Sequence, residues 1–201
     1  KGVMLTHRSL LANCLSAYEL LLELGLTDEV FLSILPLSHS FEHTCGMIFP
    51  ISLGAQIYFA EGPDTIAQNL QEVQPTIAVA VPRLYEVMYD RIRRGVERAG
   101  GTSAKLFNRT VELGLKRYED PSSLTLGERL QDKVLDVLVR RKVAKRFGGR
   151  LKTFVSGGAA LNPDIGKFFL SLGCTLLQGY GQTEASPVVS SNRPSKIKIH
   201  T

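Results

Sequence analysis

Short apolar runs alternate along this chain with longer segments in which apolar residues recur every three or four positions. The short runs, bounded by Gly or Pro, are typical of buried strands, and the longer periodic segments are typical of amphipathic helices. The predicted strands are 30–35, 56–60, 76–81, 151–155, 174–178 and 197–201. The predicted helices are 7–24, 44–53, 64–73 with Asp64 as its cap, 84–99, 104–119, 126–147 and 162–173.

Strands separated by helices indicate βαβ units, so we expect an α/β fold with a parallel or mostly parallel sheet flanked by helices. In such sheets, ligands bind beyond the carboxyl ends of the strands. Four polar or glycine-rich segments follow predicted strands, at 36–39, 82–83, 156–159 and 179–184. We therefore expect these segments to meet in one pocket.

Composition narrows the class of protein without identifying it. The 201 residues are 44% hydrophobic and 21% charged, as expected for a globular chain, and the net charge is +5. Much of the positive charge lies at 91–98 and 140–152, in runs that suit a solvated helix face, cofactor phosphates or an anionic membrane surface. No aromatic residues interleave these runs in the way that nucleic-acid binding requires, so nucleic acid is not an expected partner.

The three cysteines favour a reducing compartment. Cys14, Cys45 and Cys174 are too scattered for a disulfide framework or a metal site, which indicates buried thiols in a cytoplasmic protein. No apolar segment reaches the roughly 20 residues that span a bilayer. If the basic runs contact a membrane, we therefore expect a peripheral position at its inner face.

The segment 179–184 carries the most specific chemistry. Gly179 and Gly181 let backbone N–H groups approach a ligand closely, and the face of Tyr180 can stack on a flat ring. Thr183 and Glu184 can hold a phosphate oxygen and Mg²⁺, because Mg²⁺ takes oxygen ligands and shares carboxylates with substrate phosphates. This combination points to a nucleotide.

The sequence QGYGQTEASP at 178–187 resembles the adenine and metal motif of the adenylate-forming enzymes. That family contains acyl-CoA synthetases, luciferases and the adenylation domains of peptide synthetases. Three other motifs resemble the same family in the same order: KGV at 1–3, LPLSHSFE at 35–42 and VSGGA at 155–159. The resemblance covers nearly the whole chain.

The resemblance implies a reaction in two steps. A carboxylate attacks the α-phosphate of ATP to give an acyl-adenylate and pyrophosphate, and a thiol, usually coenzyme A, then displaces AMP. Thr183, Glu184 and His39 would be the catalytic residues, with Mg²⁺ on Glu184. The implied nucleotide-binding residues are Lys1, Gly157, Gly158, Ala159, Gln178, Gly179, Tyr180, Gly181 and Thr183.

The resemblance also implies an acyl site. It would be formed by His39, Phe41, His43 and Gly158, with His39 beside the carboxylate being activated. A fatty carboxylate is already ionised at neutral pH, so His39 is not expected to act as a base. Arg83 would orient its loop or pair with a carboxylate.

Three features resemble the bacterial-type long-chain fatty acyl-CoA synthetases: VPRLYE at 81–86, HSFE at 39–42 and the long basic helical stretch at 91–150. The predicted substrates are a fatty acid, ATP with Mg²⁺, and coenzyme A. Both ends of the chain look cut. We therefore expect 1–201 to be part of a larger N-terminal adenylation domain, with a helical insertion around 84–148, without the small C-terminal domain, and inactive by itself.

Two alternatives remain at this point. One is another adenylating enzyme, such as an acyl-carrier-protein ligase or an amino-acid or aryl-acid ligase. The other is a non-catalytic module that binds acyl chains or nucleotide. The preferred chain length and the oligomeric state, including a homodimer, also stay open.

Overall fold

A mostly parallel sheet of six strands organises residues 2–199, which are the residues that the computed structural model describes. The strands are β1 Val30–Ser33, β2 Gln56–Phe59, β3 Ile77–Ala80, β4 Thr153–Ser156, β5 Leu176–Gly181 and β6 Val188–Ser191. Their order across the sheet is β2-β1-β3-β4-β5-β6. The first five are parallel and β6 is antiparallel to β5, which confirms the predicted fold class.

Helices cover both faces of this sheet. They are α1 His7–Leu21, α2 Phe49–Leu53, α3 Ile66–Val73, α4 Pro82–Ala99, α5 Gly101–Glu119, α6 Leu126–Leu135, α7 Arg141–Arg146 and α8 Pro163–Ser171. The predicted helices are confirmed, although α3 follows Thr65, so Asp64 is not its cap. Asn162 caps α8 as expected, since its side chain accepts a hydrogen bond from the Asp164 N–H.

Two helical segments have π geometry, which the sequence pattern did not predict. Glu42–Ile48 leads into α2, and Asp136–Arg140 joins α6 to α7. A π-helical turn adds a residue to the local repeat and is frequent at functional sites. The first of these turns begins at Glu42, the last residue of the motif that carries His39.

The alternation of side chains along the strands divides the core into two layers. Leu32, Ala78 and Phe154 pack under the helices α4 and α8, where Tyr85 and Phe154 meet edge to face with ring centroids 5.6 Å apart. On the opposite face, the core of Phe31, Ile77 and Leu177 packs against α1 and α2. The second layer lies beneath the candidate site.

Two sequence predictions about strands were wrong. The glycines at 179–181 were expected to open a loop, but they belong to β5 because β6 pairs with them. Residues 197–201 were expected to form a strand, but 197–199 form none, and 200–201 lie outside the described residues. Both errors have the same cause. Whether these residues form a strand depends on pairing with a neighbouring strand at the edge of the sheet, and not on their local apolar pattern.

The basic run 140–152 is only partly solvated. Arg140 is buried, its Nε donates to the Ser171 carbonyl at 2.9 Å, and one terminal nitrogen lies 2.6 Å from an Asp132 carboxylate oxygen. Gly114 lets α5 approach α8 closely, because a Cβ there would lie 2.3 Å from the Ser171 carbonyl oxygen. Arg140 therefore ties α6 and α8 together and faces neither solvent nor a membrane.

Candidate functional site

The loops that follow β1, β4 and β5 come together at the carboxyl edge of the sheet, and they contain three of the four segments that were expected to meet; the fourth, 82–83, begins α4 instead. The hydroxyl groups of Ser40 and Thr183 lie 3.1 Å apart, although 143 positions separate these residues. The Gly157 N–H donates to the Ala80 carbonyl at 3.2 Å, which fixes the loop after β4 to the end of β3. Residues from three of the resembling motifs thus share one edge.

The loop 157–159 needs glycine for two different reasons. A Cβ on Gly157 would lie 2.7 Å from the ring of Phe41, so the ring and the loop backbone are in close contact. Gly158 has φ of +83°, a conformation that L side chains rarely adopt. Gly158 and Ala159 are exposed, so their backbone is open to a ligand.

The segment 179–184 presents its side chains to solvent. Tyr180 is 66% exposed, which leaves its ring available for stacking. A Cβ on Gly181 would lie 2.1 Å from the Pro187 carbonyl oxygen, so only glycine fits beside β6. Thr183 and Glu184 are exposed in a short 3₁₀ turn directly after the strand.

Asn13, on α1, holds that turn in place. Its side-chain NH₂ donates to the Ala185 carbonyl at 3.0 Å, and its side-chain oxygen accepts from the Val188 N–H at 2.9 Å. Ser186 adds a hydrogen bond of 2.8 Å to Ser9 of the same helix. Sequence patterns could not predict this role of Asn13, because its partners lie more than 170 positions away.

His39 is exposed, and its two ring nitrogens have different surroundings. Nδ1 accepts the Phe41 N–H at 3.2 Å, so the neutral ring carries its proton on Nε2. Nε2 can therefore donate a hydrogen bond to a substrate carboxylate. His43 is half-buried one turn later, and its N–H donates to the His39 carbonyl at 2.9 Å.

Glu42 is the buried member of this motif. One carboxylate oxygen accepts from the Ser33 hydroxyl at 2.7 Å and from the Ile34 N–H at 3.1 Å, and the other has no partner among the described residues. Burial raises the pKa of Glu42, and the Ser33 hydrogen bond opposes that shift. Glu42 thereby fixes the start of the loop that carries His39, a role that the sequence did not reveal.

An apolar cavity of about 200 Å³ lies between α1 and the sheet, directly below these loops. Phe41 closes one side, and Gly179 lies in the wall at the end nearest the loops. No charged residue among those described lines it. The other lining residues are Asn13, Ser16, Ala17, Leu20, Leu21, Phe31, Cys45, Phe49, Ile77, Val79, Val155, Leu177 and Val188, Val189, Ser190, Ser191.

The predicted site residues therefore fall into two groups. Phe41 and Gly179 line the cavity, whereas His39, His43 and Gly158 do not. Gln178 lies inside β5, with its side chain donating to the Ile199 carbonyl at 3.3 Å. Lys1 lies outside the described residues, and Arg83 forms an exposed ion pair with Glu86 at 2.8 Å. The ligand-binding roles of these residues stay predictions.

The metal prediction rests on a single carboxylate. Within residues 2–199, no group of three His, Cys, Asp or Glu side chains could enclose a metal ion. Glu184 is exposed beside the Thr183 hydroxyl, which suits an ion that takes most of its oxygen ligands from water and nucleotide phosphates. The residues therefore fit a Mg²⁺ ion carried by a nucleotide, and not a resident metal centre.

Comparison with known sequences identifies the family. The profile of the AMP-binding enzyme family matches residues 1–200. The chain therefore belongs to the AMP-binding enzymes, the family that the four motifs resemble.

The similar curated proteins are long-chain acyl-CoA synthetases. The chain is 32% identical over 193 residues to the peroxisomal long chain acyl-CoA synthetase 6 of Arabidopsis thaliana, covering 94% of this chain and 26% of that protein. It is also 32% identical over 191 residues to human long-chain-fatty-acid--CoA ligase 1, covering 92% of this chain and 26% of that protein. The chain thus spans about a quarter of the length of these relatives.

Solved structures share the fold. A long-chain-fatty-acid-CoA ligase (FadD1) from Archaeoglobus fulgidus matches with a TM-score of 0.60 and 21% identity, over 97% of this chain and 31% of that one. The ATP-bound RpMatB-BxBclM chimera B3 matches with a TM-score of 0.59 and 20% identity, over 98% of this chain and 29% of that one. No helix in the described part of the chain has the length and apolarity to cross a membrane.

Proposed function

We propose that this chain forms the nucleotide- and acyl-binding part of an enzyme that activates a long-chain fatty acid with ATP and passes it to coenzyme A. One observation carries the proposal. The loops with nucleotide chemistry meet at the sheet edge, directly above an apolar cavity without charged walls. The names of the similar long-chain acyl-CoA synthetases support the same chemistry.

In this proposal the exposed loops bind the nucleotide. Tyr180 stacks on adenine, and the backbone of 157–159 lies against it. Thr183 binds a phosphate oxygen, and Glu184 holds the Mg²⁺ that accompanies ATP. Two anions must meet when a carboxylate attacks a phosphate, so the site has to neutralise the charge that develops in the transition state.

His39 orients the acid in the same scheme. Its Nε2 donates to the carboxylate at the mouth of the cavity, while the alkyl chain extends past Phe41 toward Ala17 and Leu21 of α1. This arrangement turns the carboxylate toward the α-phosphate. It holds the substrate in a reactive orientation without any proton transfer by His39.

The cavity also distinguishes the candidate acids. An amino acid would bring its ammonium group into these walls, where no carboxylate among the described residues could pair with it. An alkyl chain meets only apolar and small neutral side chains there. Fatty acids are therefore the favoured class.

The same proposal includes four further points. The thiol acceptor is coenzyme A, the protein resides in the cytoplasm, it contacts an anionic membrane peripherally, and it forms a homodimer.

The proposal is tested by the products. The protein at its natural length is incubated with Mg²⁺, ATP and a single acid, with and without coenzyme A, and the products are identified by mass spectrometry. We expect acyl-AMP without coenzyme A, and acyl-CoA with AMP in its presence. Products from amino or aryl acids but from no fatty acid would overturn the substrate assignment, and the absence of AMP with every acid would overturn the enzyme assignment.

A further inference from the structure

Helix α6 carries a continuous stripe of exposed apolar side chains that no part of the described chain covers. Leu126 is 84% exposed and Leu130 is 66% exposed, and Val134, Val137 and Leu138 continue the same line into the π-helical turn. Their spacing of three or four residues places them on one side of the helix. The stripe is therefore an outward face and not part of the core.

The inner face fixes the orientation of this helix. Thr125 and Glu128 form a capping box, and Lys116 of α5 bonds the Glu128 carboxylate at 2.8 Å. Asp132 is buried and pairs with Arg117 at 2.8 Å. Because these contacts hold the opposite side of α6 against α5, the apolar stripe points outward as a property of the packed fold.

The charges beside the stripe are mainly positive. The exposed cations on this helix and its continuation through α7 are Arg129, Lys133, Arg141, Lys142, Lys145 and Arg146. Two acids, Glu128 and Asp132, are turned inward to partners on α5, and Asp136 lies 3.8 Å from Arg141. An apolar strip with cationic flanks matches the interface of a bilayer that contains anionic lipids.

A second exposed apolar stripe, on α1, provides the contrast. Leu11, Leu15 and Leu22 lie along it and into the turn that follows, but the charges beside it are mixed: Arg8 near its start, and Glu19 and Glu23 near its end, with Arg193 3.7 Å from Glu23. Mixed charges give no excess of cations to attract an anionic surface. The two stripes are alike in apolar exposure, but only the α6 stripe has an excess of cations beside it, so α6 suits such lipids better.

We propose that the Leu126–Leu138 face of α6 docks into the headgroup region of an anionic bilayer, with its apolar side chains inserted and Lys133 and Lys142 beside the lipid phosphates. This proposal can be tested independently of the proposed catalysis, because the measurement is vesicle binding and not enzyme activity. It deepens that proposal by naming the surface through which an enzyme of membrane-soluble acids would sit on its substrate reservoir.

The first experiment is co-sedimentation of the natural-length protein with vesicles of phosphatidylcholine containing roughly 30% phosphatidylserine, and with vesicles lacking it. We expect binding to the anionic vesicles that weakens as salt rises. Lys133→Gln should lower the partition coefficient about fivefold, the effect of removing one charge near such a surface. Binding equal on neutral and anionic vesicles, or none at low salt, would overturn the proposal.

A matched pair of variants locates the surface. Leu130 and Leu15 are each 66% exposed, so Leu130→Glu and Leu15→Glu add the same charge at sites of the same exposure on the two stripes. Only Leu130→Glu should reduce vesicle binding, by roughly fivefold or more. Equal losses in both variants would show that α6 is not the docking face.

A fluorescent reporter gives a result that does not depend on loss of binding. The chain has no tryptophan, so Leu130→Trp and Leu15→Trp each add a new reporter whose emission is obtained by difference from the parent protein. The spectrum of Leu130→Trp should shift to the blue when anionic vesicles are added, and that of Leu15→Trp should not. A spectrum for Leu130→Trp that is already blue-shifted without vesicles would mean that protein covers the stripe, and would overturn the proposal.

Discussion

At the scale of single residues, the proposed function depends most on Glu184, the carboxylate that would hold Mg²⁺. Glu184→Gln removes the charge that would hold Mg²⁺ but keeps the side-chain shape. We expect acid-dependent formation of AMP to fall on the order of a hundredfold, because metal stabilisation of transition-state charge is worth several kcal/mol, and the Mg²⁺ requirement to move to higher concentration. Glu61→Gln, at another exposed glutamate, is the control. Equal activity in both variants would remove Glu184 from the metal site.

Glu42 makes a prediction about pH and stability. Its folded pKa is raised by burial, so its contribution to stability is fully present below the unfolded pKa of about 4.3 and is lost as pH rises through the folded value. Glu42→Gln removes this loss. The free energy of unfolding of Glu42→Gln minus that of the parent should therefore increase between about pH 4 and pH 8.

Urea denaturation at both pH values measures this difference. Glu97→Gln, at an exposed position on α4, is the control for a loss of charge without burial. If the difference in the free energy of unfolding between Glu42→Gln and the parent stayed constant with pH, the charged form of Glu42 would be no less stable in the folded protein than in the unfolded one.

At the scale of elements, the glycines of β5 show where the sequence misled and why. Gly179 and Gly181 are typical of loops, yet they belong to a strand because β6 pairs with both of them. Only Gly181 must be glycine for this pairing, since a Cβ on Gly179 would lie at an ordinary 3.5 Å from the Ser190 carbonyl oxygen. The pattern of β6 itself is too short and too mixed to indicate a strand. The central strands were predictable because they are buried on both faces and therefore read as continuous apolar runs.

Gly181→Ala tests that close approach. The new Cβ would lie 2.1 Å from the Pro187 carbonyl oxygen, so β5 and β6 must separate. We expect a loss of about 1–3 kcal/mol in the free energy of unfolding, the usual range for overpacking, together with loss of nucleotide binding. Gly95→Ala, in α4 with open space around it, should instead raise stability by up to about 1 kcal/mol. If both variants had the same stability as the parent, the β5–β6 contact would be looser than described.

At the scale of the whole molecule, the position of the site could be predicted from the sequence, but the cavity beneath it could not. The motifs at 35–42, 155–159 and 178–187 follow strand ends, and parallel topology alone brings those ends to one edge. The cavity could not be predicted, because its wall combines residues from α1, α2, the π-helical turn and all strands except β2. The apolar stripe on α6 was likewise hidden, because a helical pattern does not show which face a neighbour will cover.

The cavity predicts a change in acyl preference. Ala17 of α1 is half-buried and lines the cavity, whereas Ala12 on the same helix is exposed. Ala17→Leu should reduce activation of long acids relative to short ones on the order of tenfold, because the added carbons occupy space that the alkyl chain needs. Ala12→Leu should leave the ratio unchanged. A long-to-short ratio that is identical in both variants would place the alkyl chain elsewhere.

The most direct test of the central claim is fatty-acid-dependent exchange between ATP and pyrophosphate, measured on the protein at its natural length with acids from acetate to long-chain. Exchange reports adenylate formation alone and does not depend on the thiol acceptor. We expect exchange that increases toward long chains and is lost in Glu184→Gln. No exchange with any fatty acid, or exchange that is unaffected by Glu184→Gln, would contradict the central claim.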